Sequence, residues 1–144
     1  MSDVRFHGAN GQFGFLSNFS DHGFMHEGIR WATVEHFYQA SKFNDPVSII
    51  NISQCETPAL AKHLGGRTAG IRADWHDVRL SVMRTGVLLK FQQNKEIAEK
   101  LCKITGDIVE VSKDDAFWGA GIDGNGENNL GKILMEARQR ICDQ

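Results

Sequence analysis

Hydrophobic positions change their spacing early in the chain. Before residue 32 they come in short clusters, Val4–His7, Phe13–Leu16 and Phe24–Trp31, set between Gly, Ser, Asn and Asp. This pattern reads as short strands and loops, with the third cluster folding back on itself as a hairpin at Glu27-Gly28. From Thr33 onward the spacing becomes helical. One helix is predicted from an N-cap at Thr33 through Phe43, stopping at Asn44-Asp45-Pro46. A second begins with Thr57 as cap and Pro58 at the first helical position, and Gly65-Gly66 is expected to close it. Asp74 is the expected cap of a longer helix. It carries Trp75, Val78, Val82 and Leu89 on one stripe and Leu80, Met83, Val87 and Phe91 on another. Two apolar stripes predict burial on most sides. Ile97, Leu101 and Ile104 mark a further helix ending at Gly106, Asp107–Val111 reads as a strand, and a last helix carries Leu130, Ile133, Leu134, Ala137 and Ile141. The sum is an α+β fold: one compact, helix-rich domain over residues 1–144 with a few short strands.

Composition changes this picture little. The chain is 41% hydrophobic and 24% charged, close to an average globular protein. No apolar run approaches the ~20 residues of a membrane span, and the first residues lack the basic-then-apolar build of a signal peptide. A cytoplasmic protein, acting as a monomer, is the expectation. The three cysteines, Cys55, Cys102 and Cys142, are odd in number and far apart, so a disulfide framework or zinc site is not expected and each reads as a structural thiol. Charge is uneven. Residues 60–103 hold nine Lys/Arg against four Asp/Glu, while both flanking segments are net acidic. A basic middle suits a phosphate-bearing ligand; solvated helix faces explain it equally well.

Four clusters could carry chemistry. On the Thr33–Phe43 helix, Glu35, Gln39 and Lys42 fall within one stripe at about 100° per residue, with Tyr38 beside them. Phe37, Ala40 and Ser41 take the opposite, core-facing side. A first-turn glutamate is favoured in its ionised form by the helix dipole. The alternative is a plain exposed face. The second cluster, Lys113–Gly131, is a glycine-rich loop leading into the N-terminus of a helix at Asn128/Asn129. Free amides there would suit an anion, and Phe117 or Trp118 could stack on a base or anchor the core. It carries no dinucleotide or P-loop fingerprint. Third, Ser17 and Asn18 lie between Leu16 and Phe19 and, with Trp31, could clamp a nucleoside; Trp31 is as easily core packing. Fourth, Arg72 near the start of the long helix is a candidate phosphate ligand. The six histidines show no metal-ligand spacing.

These residues resemble a known family. LSNF at 16–19, EHFYQASKF at 35–43, DW at 74–75, MRTGVLLKFQQN at 83–94, DDAFWGAG at 114–121 and GENNLGKILMEAR at 126–138 are similar, in order, to the blocks of the YbiA-like, or NADAR, family. The resemblance implies an N-glycosidase acting on ribosylated nitrogen compounds, without metal or cofactor. It puts the family's central glutamate on Glu35, its helix lysine on Lys42, and its tryptophan after the central aspartate on Trp75. The D-A-aromatic-W-G block falls on Asp115, Phe117, Trp118 and Gly119, and the G-x-N-x-L-G block on Gly126, Asn128 and Gly131.

The implied chemistry fits the first helix. Positive charge builds at C1 of the ribose as the bond breaks, and a carboxylate stabilises it. An amine of lowered pKa can attack the same carbon and open the sugar as a Schiff base. Lys42 needs burial or a neighbouring cation for that role; Asp115 would orient the ribose or assist proton transfer. The expected substrate is ADP-ribosylated guanine, in DNA or a nucleotide, in functional pairing with an ADP-ribosyltransferase. The second choice is a phosphoribosylamino-pyrimidine of the riboflavin pathway, and the non-enzymatic alternative is a module that binds ADP-ribose.

Overall fold

The computed structural model describes residues 2–143. Four short strands and six helices are present among them: β1 (Val4–Phe6), β2 (Phe24–His26), β3 (Ile29–Trp31), α1 (Val34–Ala40), α2 (Pro46–Ser53), α3 (Pro58–Arg67), α4 (Trp75–Gln93), α5 (Lys95–Cys102), β4 (Ile108–Glu110) and α6 (Asn129–Cys142). The α+β reading holds. None of these helices is long and apolar enough to cross a membrane.

The strands form two separate pairs. β2 and β3 make the expected antiparallel hairpin, pairing Phe24 with Trp31 and His26 with Ile29. Its two turn residues, Glu27 (φ 51°) and Gly28 (φ 82°), are both left-handed, the conformation a two-residue hairpin turn requires. β1 pairs in parallel with β4, Val4 against Ile108 and Phe6 against Glu110. The Phe13–Leu16 cluster is a turn of 3-10 helix over Gly14–Leu16 rather than a strand.

α1 occupies the centre, and all seven of its residues are buried. It packs against α2, α3, α4 and the hairpin. Thr33 caps it as expected, its hydroxyl accepting from the His36 amide at 3.2 Å. The His36 ring donates from Nε2 to the Cys55 carbonyl at 2.9 Å, and its Nδ1 lies 2.8 Å from the Thr33 hydroxyl. The fully buried imidazole thus ties α1 to the end of α2.

Several helix boundaries differ from expectation. α1 ends at Ala40, short of the expected Phe43, and Asn44-Asp45-Pro46 instead starts α2, since the Asp45 carboxylate accepts from the Ser48 amide and Pro46 sits at the first helical position. Gly65-Gly66 does not close α3, which runs on to Arg67. Gly65 lies inside the helix because the Gln39 side chain occupies the place a Cβ would take. Asp74 precedes α4 without a side-chain cap bond; its carboxylate instead takes the Arg72 guanidinium at 2.6 and 2.9 Å. Two cysteines expected as free thiols are joined: Cys102 at the end of α5 is disulfide-bonded to Cys142 at the end of α6, and only Cys55 is free. The two helix ends, 40 residues apart in sequence, converge because α5 packs on α6, a tertiary contact that sequence spacing does not encode.

Where α6 meets β4, a Cβ on Gly131 would strike the Ile108 carbonyl and the Asn128 side chain. Gly131→Ala is therefore expected to force the helix off the strand and destabilise the protein by roughly 1–3 kcal/mol, lowering Tm by several degrees in a thermal melt. An unchanged Tm would mean the helix shifts freely.

Candidate active site

Burial of α1 removes the solvent face that its polar stripe was expected to occupy. Glu35 and Gln39 are 7% and 4% exposed. Being four residues apart they pair: Gln39 Nε2 donates to Glu35 Oε2 at 2.6 Å, while Gln39 Oε1 is buried with no hydrogen-bond partner among the described residues. Burial pushes the Glu35 carboxyl above its ordinary range, against the pull of that hydrogen bond and of the nearby Lys62 and Lys42 charges.

Glu35 opens onto a cavity of 420 Å³. One wall is the segment after the 3-10 turn, where Ser17 and Asn18 line the space. The Asn18 carbonyl accepts from the Glu35 amide at 3.1 Å, which fixes this segment against the start of α1. A second wall is aromatic. Tyr38 meets Trp75 and Trp118 edge-on, with ring centroids 5.1 and 5.5 Å apart, and burial pushes the Tyr38 phenol up to about 12. The third wall is the glycine-rich loop, where the Asp115 Oδ1 accepts from the Phe117 and Trp118 amides at 2.9 and 2.8 Å. That carboxylate both lines the cavity and shapes the turn presenting Trp118.

The structure brings together Glu35, Ser17, Asn18, Tyr38, Asp115 and Trp118. Lys42 lies just past the end of α1, half-buried, its Nζ 6.0 Å from the Tyr38 ring centre. It does not line the cavity; Tyr38 stands between. Burial lowers its pKa, with Glu35 opposing and Lys62 reinforcing the shift. Trp75 supports Tyr38 from behind, and Phe117 supports Trp118 while the Arg79 guanidinium covers its ring at 3.7 Å.

The remaining candidates lie elsewhere. Trp31 packs edge-on against Phe37 in the core, and Arg72 is held by Asp74; both border a different depression, beside the hairpin. Gly119 packs against the Glu110 carbonyl. Asn128, left-handed at φ 52°, clamps β4 by accepting from the Glu110 amide and donating to the Ile108 carbonyl. The amides expected to be free for an anion are already used: those of Asn128, Asn129 and Leu130 donate to the carbonyls of Gly119, Phe117 and Trp118. The loop folds back on its own helix and closes that end.

Three ionisable residues escaped the sequence reading. Glu110, on the last position of β4, lines the cavity, and burial together with Asp115 and Glu35 pushes its carboxyl up to about 7. Its readable signal was alternation, which puts Glu110 on the same strand face as the fully buried Ile108. Lys62 on α3 is the cation that lines the cavity. Lys90 is 1% exposed, and its Nζ donates to the Ser17 carbonyl at 2.9 Å. Its position on the stripe of Met83 and Val87 was the visible sign of burial.

The profile of the NADAR domain matches residues 5–142. The chain belongs to the NADAR family. An N-glycosidase of Nostoc punctiforme is 45% identical over 135 residues, covering 90% of this chain and 86% of that protein. The N-glycosidase YbiA of Escherichia coli is 34% identical over 141 residues, 96% of this chain and 88% of its own length. The NMR structure of E. coli YbiA superposes with a TM-score of 0.89 at 32% identity, covering 99% of this chain and 86% of that one. A riboflavin biosynthesis protein of Vibrio vulnificus is 40% identical over 141 residues, 96% of this chain but 38% of that protein. This NADAR chain thus shares its fold with YbiA and its enzyme class with relatives that hydrolyse N-glycosyl bonds.

Buried Lys90 carries a pH signature. Burial lowers its pKa to about 7, whereas an unfolded lysine keeps its proton to about 10.4. The unfolded state therefore binds more protons between these values, and wild-type stability should rise with pH across that window, the penalty being complete below it. In urea melts, the stability of Lys90→Met relative to wild type should fall from pH 6 to pH 10, by at most roughly 1.4 kcal/mol per pH unit inside the window. A difference independent of pH would mean the ammonium is not buried in solution.

Proposed function

We propose that this N-glycosidase removes ADP-ribose from guanine, in DNA or in a nucleotide, as the reverse partner of an ADP-ribosyltransferase. The observation that carries the reading is the convergence of Glu35, Tyr38, Asp115 and Trp118 on one cavity, with the Lys42 amine, its pKa lowered by burial, over the Tyr38 ring. Glu35 stabilises positive charge at C1 of the ribose. The Lys42 amine, reaching past Tyr38, attacks that carbon, the base departs, the sugar opens as an imine, and water releases the ribose. Asp115 orients the ribose hydroxyls and Trp118 offers a face to the base or sugar.

The diphosphate needs cations. With Arg72 held by Asp74 and the α6 amides occupied, Lys62 is the cation at the cavity. His63 and Arg67 continue from it along a shallow groove on α3, a track suited to phosphates that leave the cavity toward solvent. A phosphoribosylamino-pyrimidine is the second reading. It is supported by the riboflavin biosynthesis protein of Vibrio vulnificus, which aligns with almost this whole chain.

Two measurements test this reading. Borohydride added during turnover should trap a protein–ribose adduct on Lys42, and Lys42→Ala should abolish both adduct and turnover. A fully active Lys42→Ala enzyme would replace the imine route by direct attack of water. ADP-ribose should raise Tm, since a ligand of the native state stabilises it; ribose 5-phosphate should do so far less, and Lys62→Ala should erode the shift. Equal shifts from both ligands would favour the pyrimidine substrate.

A further inference from the structure

Three carboxyls, Glu35, Glu110 and Asp115, meet at the cavity, with Lys62 as the lining cation. Like charges that line one cavity do not all ionise; burial favours a proton on Glu35 as on Glu110, and the hydrogen bonds oppose it at Glu35 but not at Glu110. Glu35 accepts from the Gln39 amide and Asp115 accepts from two backbone amides, and both contacts favour the carboxylate. The Glu110 carboxyl has no hydrogen-bond donor and no ion-pair partner among the described residues, although its backbone is locked by Asn128 on one side and Ala120 on the other. It is a rigidly mounted acid facing the cavity, and the proton collects there.

We infer that Glu110 is the general acid of the reaction, donating its proton to the nitrogen of the departing base while Glu35 faces the sugar as carboxylate. This rests on the N-glycosidase reading. The C1–N bond breaks, its electron pair goes to the base nitrogen, and the Glu110 proton follows. The water that later adds at C1 returns a proton to Glu110, so the net change is one water consumed and one base and one ribose hydroxyl released. The groups that face Glu110 are Asp115 from the loop and Glu35 from α1, which raise its affinity for a proton, and His7 after β1 and Lys62 from α3, which lower it. Burial, the largest influence, together with these charges puts its pKa at about 7, where a general acid is most effective near neutral pH.

The test uses the full chain with two probes, an ADP-ribosylated guanosine monophosphate and a phosphoribosylamino-pyrimidine. On whichever the wild type cleaves, kcat/KM should fall as pH rises above about 7. Glu110→Gln, which keeps the side chain's shape, should lower kcat by roughly 10²–10⁴-fold and erase that alkaline limb. KM and the Tm shift with the released ribosyl product should stay within a few-fold of wild type. Glu110→Asp, with a carboxyl of similar acidity, should restore part of kcat and bring the limb back. Glu110→Gln that stays as active as wild type, or loses kcat with an unchanged alkaline limb, overturns the assignment; so does Glu110→Asp as slow as Glu110→Gln and without the limb. A wild type inactive on both probes overturns the N-glycosidase reading itself.

Discussion

The site depends on a seven-residue helix enclosed on every side. α1 presents no face to solvent, so each polar group it carries must find a partner within the protein. Gln39 solves this for one oxygen of Glu35 and Thr33 for the His36 amide, whereas the Gln39 Oε1 stays buried without a hydrogen-bond partner among the described residues. Close approach of the neighbouring helices makes the enclosure possible. A Cβ on Gly86 of α4 would come within 2.9 Å of the Phe37 ring, and Gly65 of α3 leaves room for the Gln39 side chain. A bulkier residue at either point would separate helices that now exclude water from Glu35. The electrostatics of the carboxyl are therefore a product of packing two helices away.

The glycine-rich loop serves the site differently from what its composition implies. Its amides and carbonyls are spent on one another and on α6, and Asn128 stitches the whole to β4. The result is a fixed plate that holds Asp115 and Trp118 at the cavity that Glu35 also lines. Ser17 and Asn18 face it from the opposite wall, pinned by Lys90 below and by the Glu35 amide beside them. Both walls are held by hydrogen bonds in which a side chain meets backbone, Lys90 on one side and Asp115 and Asn128 on the other.

Local signals were legible in the sequence, and long-range ones were not. The hairpin at Glu27-Gly28 and the Thr33 cap are set by neighbours within four residues, and both read correctly. The 35–39–42 stripe gave the right periodicity but the wrong exposure, because what covers a helix comes from elsewhere in the chain. Pro46 was readable as a stop and equally as a start. Glycine pairs signal helix ends, yet Gly65 serves close packing instead. Arg72 looked free because its partner Asp74 had been assigned to capping. The family blocks singled out Glu35, Asp115 and Trp118, whereas Glu110 and Lys62, which lie outside those blocks, required the fold to bring them to the cavity.

The parallel pair of β1 and β4 has a consequence for synthesis. Its partners, Val4 and Ile108, are 104 positions apart, and the loop that completes the cavity comes later still. A chain emerging from the ribosome cannot complete the wall around Glu35 until Glu110, Asp115 and Trp118 have been made. The half-made protein therefore holds its central glutamate without the plate that completes the cavity around it. The first three-residue strand pairs with the fourth, which carries Glu110, so one wall of the cavity waits on a residue made late in the chain.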